Sequence, residues 1–312
     1  MGRLLPRLLA SALLLGVTSG CAGKTPPKTE TPEAGETPPA PDPDEHAFYT
    51  GAGDPTSLDA YLTELAQVDL IAFGELHYHP IARRYQAALL EGLAAQPRPL
   101  ALALEFFEAD HQAAIDEYLA GAIDEATFRE RTGRGERYDD AHRPLVEYCK
   151  AHKIPVIAAN APRRLVTAYR KSGLSYPEYL ASLSPEDRAY MPLSSEPRDD
   201  DEFKERFMAL MGPERGPAFY KSMALWNDAM AESVARFRTK HPEHRVLLVV
   251  GVFHVAARLG LIREFRIRRP DDAVSVLTMQ QTDGAVEFTE DDEREGDVVL
   301  KVREPAREPA EP

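Results

Sequence analysis

The sequence predicts an α/β fold with a mostly parallel central sheet flanked by helices, and three observations support this. Four short runs of strand length are almost entirely apolar, at residues 68–73, 100–104, 155–159 and 246–250. Continuous rather than alternating apolarity is typical of strands that are covered on both faces, as in parallel sheets. Amphipathic stretches separate the first three runs, at 81–95, 109–119 and 144–152, and this β-α-β-α-β order implies right-handed crossovers.

Two further segments complete the predicted domain. Residues 166–241 form a helical insert between the third and fourth strands, rich in Met and aromatic residues such as Met208, Tyr220 and Trp226. A Met stripe at helical spacing is more often core than the lining of a cofactor slot, but both interpretations stay open. After the fourth strand we expect a helix over 255–265. Alternating runs at 274–279, 286–289 and 298–302, with the turn-like pair Asp283-Gly284, then predict a C-terminal antiparallel edge.

Residues 1–20 have the layout of a secretory lipoprotein signal. Arg3 and Arg7 precede an apolar run of about ten residues, whereas a membrane-spanning helix needs about 20. Gly20 immediately before Cys21 resembles a lipobox, although Thr18 stands where Leu is usual. The sequence therefore predicts cleavage before Cys21 and lipidation of that residue. An ordinary signal peptide with a chance cysteine nearby is the alternative.

The remaining chain divides into a linker, one domain and a tail. Residues 21–47 are rich in Pro, Thr and Glu and predict a disordered spacer between the lipidated Cys21 and a single domain at 48–302. Residues 303–312, with repeated Glu-Pro, predict a disordered tail. Ala22, where a retention Asp could stand, favours the outer membrane of a bacterial cell envelope.

Charge and cysteine content exclude some classes of protein. The formal net charge of −14 argues against a nucleic-acid partner, because no basic stripe offsets it. With Cys21 lipidated, Cys149 is alone, so the domain has no internal disulfide. Its place in an apolar helical pattern predicts a buried, inert thiol.

Polar side chains follow each of the four predicted strands. Glu75 and His77 come after the first strand, Glu105 after the second, Asn160 after the third and His254 after the fourth. In an open parallel sheet, ligands bind outside the carboxyl ends of the strands, so these groups should converge if the strands are adjacent. Each residue taken singly could equally cap a helix or satisfy loop amides.

The chemistry that such a set allows is limited. Two imidazoles and one or two carboxylates can hold a divalent metal ion with an open position, while a spare Glu acts as general base on bound water. Without metal, a Glu–His pair can still activate water. The Gly that opens each Gly-x-x-His sequence is expected to let the backbone turn sharply. No Gly-x-Ser-x-Gly or His-Glu-x-x-His motif is present.

The other histidines give weaker signals. His79, His111 and His142 lie in or beside surface-type helices and are expected to be solvated. His241 and His244, which flank Pro242, are expected at an exposed helix end.

These motifs together resemble the ChaN-like haem-binding uptake lipoproteins of the Tiki superfamily, which has paired Gly-x-x-His motifs. The resemblance rests on Gly-Glu-Leu-His at 74–77 with Gln86, Ala-Leu-Glu-Phe-Phe-Glu at 103–108 with Gln112 and Asp116, Asn-Ala-Pro-Arg at 160–163, and Gly-Val-Phe-His at 251–254. It extends over most of the domain, from about residue 69 to 261, in the right order.

The resemblance implies a surface lipoprotein that binds haem and takes part in iron acquisition, and it is compatible with a homodimer that encloses two haems. It places His77, Tyr78, Glu105 and His254 at the cofactor, with an axial ligand to be chosen among His77, His254 and a tyrosine such as Tyr78 or Tyr220. Arg163 and Arg164 could meet the propionates or could cap a helix.

The superfamily also includes metal-dependent peptidases, which implies an alternative. In it His77, Glu105 and His254 hold a divalent metal ion, Glu75 is the general base, and Asn160 orients the substrate or an oxyanion.

Overall fold

The computed structural model describes residues 46–135, 138–139, 142–195 and 201–303. The strands are β1 (His46–Thr50), β2 (Pro55–Thr56), β3 (Leu70–Glu75), β4 (Leu100–Glu108), β5 (Val156–Asn160), β6 (Arg245–Gly251), β7 (Val274–Thr282) and β8 (Val298–Arg303). They form one sheet in the order β2-β1-β8-β7-β3-β6-β4-β5. All pairs from β8 to β5 are parallel. The predicted α/β class with a mostly parallel sheet is confirmed.

The helices of the described residues are α1 (Leu58–Glu64), α2 (Pro80–Ala94), α3 (Gln112–Leu119), α4 (Glu125–Thr132), α5 (Arg143–His152), α6 (Arg163–Ser172), α7 (Tyr176–Ser182), α8 (Pro185–Ala189), α9 (Glu202–Lys240) and α10 (Gly260–Arg268). Several begin where the sequence provides a cap: Asp201 accepts a hydrogen bond at the start of α9, and Pro80 stands in the first turn of α2. Helix α9 is broken at Gly212, which has a φ of 74° and precedes Pro213.

Helices cover both faces of the sheet and create two cores. On one face, α2, α3 and α5 pack on the large side chains of the central strands, such as Phe73 and Leu104. On the other face, α9 and α10 pack on Ala72, Ala101 and Ala103. Every residue of β3 and β6 is buried, which explains why these strands lack alternation in the sequence.

The predicted elements of the central domain match the structure closely. All four predicted strands are present, and in the sheet they are the adjacent strands β3-β6-β4-β5. The predicted helices correspond to α2, α3 with the 3₁₀ turn before it, α5 and α10. The insert is helical and begins at α6. Its Met and aromatic residues, Tyr220 among them, pack mainly into two small cores.

The predicted antiparallel C-terminal edge is wrong in its pairing. Strand β7 pairs parallel with β3, β8 pairs parallel with β7, and the run at 286–289 forms no strand. The antiparallel partner of β8 is β1, which begins at His46, inside the predicted linker. Alternation of apolar and polar residues indicates which face of a strand is buried but not the direction of the strand. It could therefore not show whether these strands pair parallel or antiparallel.

Other expectations concern single residues and the termini. Cys149 is buried without a disulfide partner, and burial raises the pKa of its thiol to about 12. Among the described residues, no helix combines the length and apolarity needed to cross a membrane. The predicted signal peptide, Cys21, most of the linker and the tail after Arg303 lie outside the described residues.

Candidate functional site

The predicted strand-end residues converge on one cleft. Glu75 is the last residue of β3, Glu105 lies in β4 and Asn160 ends β5, all on the carboxyl edge of adjacent parallel strands. The cleft has a volume of about 300 Å³. Its lining includes Glu75, His77, Tyr78, Glu105, Phe106, Glu108, Arg134, His142, Asn160 and Arg163. It is strongly polar, and the volume lies at the lower limit of small-molecule sites.

A buried carboxylate orients His77 at the mouth of the cleft. His77 Nδ1 donates to Glu75 Oε1 at 2.7 Å, while Gln86 Nε2 donates to the other carboxylate oxygen. The Glu75 side chain is 6% exposed, whereas that of His77 is 56% exposed. The ring is therefore fixed in orientation, and its second nitrogen, Nε2, lies next to Gly251 while the side chain as a whole stays half exposed.

His142 is a second imidazole beside Glu75, and the expectation that it is solvated is wrong. It is buried, its Nε2 lies 3.8 Å from Glu75 Oε1, and its ring packs on Phe106 at a centroid distance of 3.9 Å. Burial alone would raise the pKa of Glu75, but the nearby His142 imidazole and the hydrogen bond from His77 outweigh it and hold that pKa well below its usual range. The Glu75 bond in turn raises the pKa of His77.

Glu105 joins two strands and faces a second imidazole. Its Oε2 accepts from the Gly251 backbone N–H at 2.6 Å, and its Oε1 lies 3.4 Å from His254 Nε2. His254 is buried, and its Nδ1 pairs with Asn227 Oδ1 at 2.6 Å. Burial raises the pKa of Glu105, but the nearby His254 and the Gly251 N–H lower it by more. The net result is a pKa of about 2, below the ordinary value of 4.5. His254 does not line the cleft and lies behind Glu105.

The glycines of the two Gly-x-x-His motifs allow neighbouring atoms to approach closely. The expectation that they let the backbone turn sharply is wrong. Gly74 lies inside β3, and Gly251 has a φ of −55°, so neither needs a left-handed backbone. A Cβ on Gly251 would lie 3.0 Å from His77 Nε2. A Cβ on Gly74 would lie 2.8 Å from Val255 Cγ2. The glycines therefore let the two motifs pack against each other.

The three residues predicted to share a metal ion are not gathered into one centre. In the described parts of the chain, two groups have donor atoms that all lie within 4.8 Å of one another, namely Glu108–Asp110–His111 and His241–Glu243–His244. His77, Glu105 and His254 are not among them, because Glu75 draws His77 to one side and Asn227 holds His254 on the other.

Aromatic and cationic groups line the same cleft as His77. Tyr78 is 46% exposed and has a φ of 64°, an uncommon conformation for a bulky residue that turns the chain directly after His77. Arg134 donates to the Phe106 carbonyl at 2.8 Å, and its guanidinium lies over the Phe106 ring. Burial lowers the pKa of Arg134.

Arg163 and Asn160 complete the cleft, and Arg164 does not belong to it. The Arg163 backbone N–H donates to Glu108, and its guanidinium lies 5.8 Å from the Trp226 ring centroid. The Asn160 side chain accepts a hydrogen bond from the Ala161 backbone N–H, so it satisfies a loop amide and does not cap α6, which begins after Pro162. Arg164 pairs instead with Asp110 and Asp187.

The residues present fit the requirements of haem. An iron ligand needs an oriented donor, and His77 and Tyr78 each place a side chain that is about half exposed at the cleft. Two guanidinium groups, of Arg134 and Arg163, line the same opening where carboxylates of a ligand could be met. The cleft is too small to enclose a porphyrin, so a haem would lie across its open face.

Sequence reasoning missed three contributors to this site. His142 and Arg134 come from the helical region between β4 and β5, and Asn227 comes from the insert. None stands at a strand end, so the strand-end rule could not find them. Gln86 was marked by its place in the family motif, and its amide does bind Glu75.

The fold and the cleft define an α/β protein whose site lies at the carboxyl ends of four parallel strands, with one glycine-spaced histidine motif on each of two neighbouring strands. The chain belongs to the haem-binding uptake family ChaN of the Tiki superfamily, whose sequence model matches residues 61–265. A search of curated proteins found no significant match.

A solved ChaN structure agrees with this assignment at the level of the fold, and two other solved structures have a weaker similarity. ChaN of Campylobacter jejuni, described with cofacial haem binding, is 16% identical with a TM-score of 0.60 and covers 82% of this chain and 96% of its own. The type III effector HopBA1 is 15% identical with a TM-score of 0.45 and covers 80% and 94%. An erythromycin esterase in its open conformation is 11% identical with a TM-score of 0.45 and covers 75% and 77%.

Proposed function

We propose that this protein binds haem at the strand-end cleft and serves haem or iron uptake as a lipid-anchored protein of the bacterial cell envelope. Membership of the haem-binding uptake family supports the ligand class. The arrangement of His77 is the observation that carries the proposal for this chain.

His77 has the geometry that a metal-bound imidazole requires. Ligating histidines usually give their second ring N–H to a carboxylate, which fixes the ring and makes the other nitrogen a better donor. Glu75 is that carboxylate here: it is buried, ionised and held by Gln86 on its far oxygen. A buried, ionised carboxylate that orients a half-exposed imidazole is the arrangement expected of a histidine that binds an external ligand.

Tyr78 and the two arginines would complete the binding face. Tyr78 places an exposed aromatic phenol beside His77 and is the second candidate for the axial position. Arg134 and Arg163 would meet the propionates, and Glu105 would limit how deep a ligand enters the cleft. When bound, haem would supply the iron that these donors hold. The chain's own residues would only bind and orient it, which suits carriage rather than catalysis.

The experiment is a haemin titration of the full mature chain, followed by the Soret band. We expect saturable binding in the wild type. One of the two variants His77→Ala and Tyr78→Phe removes the axial ligand. In that variant we expect a shifted Soret band and a haemin affinity at least about tenfold lower. His152→Ala and Tyr190→Phe are matched controls away from the cleft and should bind as the wild type does. Wild-type affinity in the His77→Ala, Tyr78→Phe double variant would place haem elsewhere and overturn this site.

The hydrolase alternative finds no comparable support, because His77, Glu105 and His254 do not form one metal centre in this structure. It has its own test in a panel of peptide and ester substrates with Glu75→Gln as the comparison. Turnover that depends on Glu75 and on a divalent metal ion would favour hydrolysis over haem carriage.

A further inference from the structure

A second cluster of metal-ligating side chains lies in the turn His-Pro-Glu-His at 241–244, which joins α9 to β6. His244 Nδ1 lies 2.7 Å from Glu243 Oε1, and His241 Nδ1 lies 3.8 Å from the same oxygen. One ligand atom from each of the three residues lies within 4.8 Å of the other two. Three ligand atoms on four consecutive residues are thus close enough together to bind one ion.

The turn that carries these donors is fixed by hydrogen bonds. The His241 N–H donates to the Phe237 carbonyl at 2.9 Å, and the His244 N–H donates to the His241 carbonyl at 3.1 Å. The buried Arg238 guanidinium donates to the carbonyls of Pro242, at 2.7 Å, and His244. The backbone is therefore held in place before any ligand arrives, which lowers the entropy cost of binding.

One aromatic ring orients both imidazoles. The Phe237 ring centroid lies 4.7 Å from that of His241 and 5.6 Å from that of His244. The two imidazole centroids are 5.5 Å apart. An apolar support under both rings restricts their rotation and leaves the nitrogens turned toward Glu243.

Charge and access also suit a cation. His241 and Glu243 are about half exposed, at 46% and 55% of their side chains, so an ion reaches them without any opening of the fold. The nearby Arg238 is neutralised by Asp69 at 2.7 Å and Asp272 at 3.0 Å.

We propose that His241, Glu243 and His244 bind a divalent cation of the late first-row type, for which Zn²⁺ is the probe. Two imidazole nitrogens and one carboxylate oxygen, with water in the fourth position, are a ligand set that Zn²⁺ accepts in tetrahedral geometry. Both imidazoles would bind in the neutral form with the proton on Nε2. The site is separate from the cleft, because β6 begins next to the turn at Arg245 and reaches the cleft edge at Gly251, about 20 Å away at 3.3 Å per residue.

The test is a Zn²⁺ titration of the metal-free full chain by calorimetry, repeated with Co²⁺ to record visible absorption of a tetrahedral site. We expect the His241→Ala, His244→Ala double variant to lose one equivalent of Zn²⁺ and the Co²⁺ bands. Glu243→Gln should weaken binding by at least about tenfold. His152→Ala, an exposed histidine with no carboxylate partner among the described residues, should keep the full stoichiometry.

Two further measurements make the result decisive. Zn²⁺ should raise the melting temperature of the wild type and not of the double variant, since a ligand stabilises only the fold that binds it. The metal-free melting temperatures and far-UV spectra of the two should agree, which shows that the variant folds. Equal Zn²⁺ stoichiometry and affinity in the wild type and the folded double variant would overturn the proposal, and so would the absence of Zn²⁺ binding to the wild type.

Discussion

Glu75 and Glu105 lie on either side of β6 and both are ionised, but for different reasons. Glu75 is held by two imidazoles and an amide, while Glu105 is held by one imidazole and a backbone N–H. One carboxylate orients the exposed His77, and the other ties the ends of β4 and β6 together. Glu75 is therefore expected to affect ligand binding, and Glu105 is expected to affect the stability of the fold.

Glu105 should make the protein sensitive to acid. Its folded pKa of about 2 lies below its ordinary value of 4.5, so its contribution to stability is complete above about pH 5 and disappears as the pH falls toward 2. This lowering of the pKa contributes at most about 3 kcal/mol to the free energy of unfolding at neutral pH. We therefore expect the free energy of unfolding of the wild type, from urea titrations, to fall more between pH 5 and 3 than that of Glu105→Gln.

Glu130→Gln, on the surface of α4, is the control and should follow the wild-type curve. If the free energy of unfolding falls with pH by the same amount in the wild type and in Glu105→Gln, the pKa of Glu105 is not lowered by folding.

At the scale of the residue, the sequence predicts those site groups that the strands themselves place. Glu75, His77, Glu105 and Asn160 meet because adjacent parallel strands end at one edge. His142 and Asn227 could not be found in this way, since their positions depend on how α5 and α9 pack. The same limit explains why His254 was expected at the cleft surface, although Asn227 holds it behind Glu105.

At the scale of the element, β5 is an edge strand whose exposed side is covered by a side chain. Gln112, in the first turn of α3, donates to the Val156 carbonyl at 2.9 Å and accepts from the Ala158 N–H at 2.8 Å. Its amide thereby takes the place of a neighbouring strand. Uncovered edges expose unpaired backbone groups that invite association with another chain.

Removal of this amide should destabilise the protein and expose the edge. For Gln112→Ala we expect a loss of about 1–3 kcal/mol in the free energy of unfolding, because two backbone groups lose their partner. Size-exclusion chromatography should show more aggregate for this variant. Gln281→Ala, at an exposed position of β7, should change stability by less than about 0.5 kcal/mol. A Gln112→Ala variant as stable as this control would show that water replaces the amide without cost.

Elements with strong apolar runs were predicted and those without them were not. The four central strands are buried on both faces, so their composition alone identifies them. Strand β1 is five residues long, follows a Pro-rich stretch and is held by pairing with β8 and by packing of Phe48. Such a strand has no local signal, since its partner lies some 250 residues away in the sequence.

At the scale of the whole molecule, both ends of the described chain lie on the side of the cleft. Strand β8 runs parallel to β3 and so ends at the carboxyl edge, and β1, antiparallel to it, begins there. The carbonyl of Arg303 lies 3.4 Å from His79 Nε2, close to the start of α2 and to Tyr78. The described chain therefore begins and ends at the same edge of the sheet as the cleft.

The predicted lipid anchor has a consequence that can be tested. If Cys21 is lipidated, Cys21→Ser should release the protein from the membrane fraction without changing its haem affinity, because no residue of the cleft is altered. The measurement is fractionation of cells followed by haemin titration of the released chain. Cys21→Ser protein that stays with the membrane fraction as the wild type does would contradict anchoring through a lipid on this residue. Released protein with a lower haem affinity would show instead that the anchored segment takes part in binding.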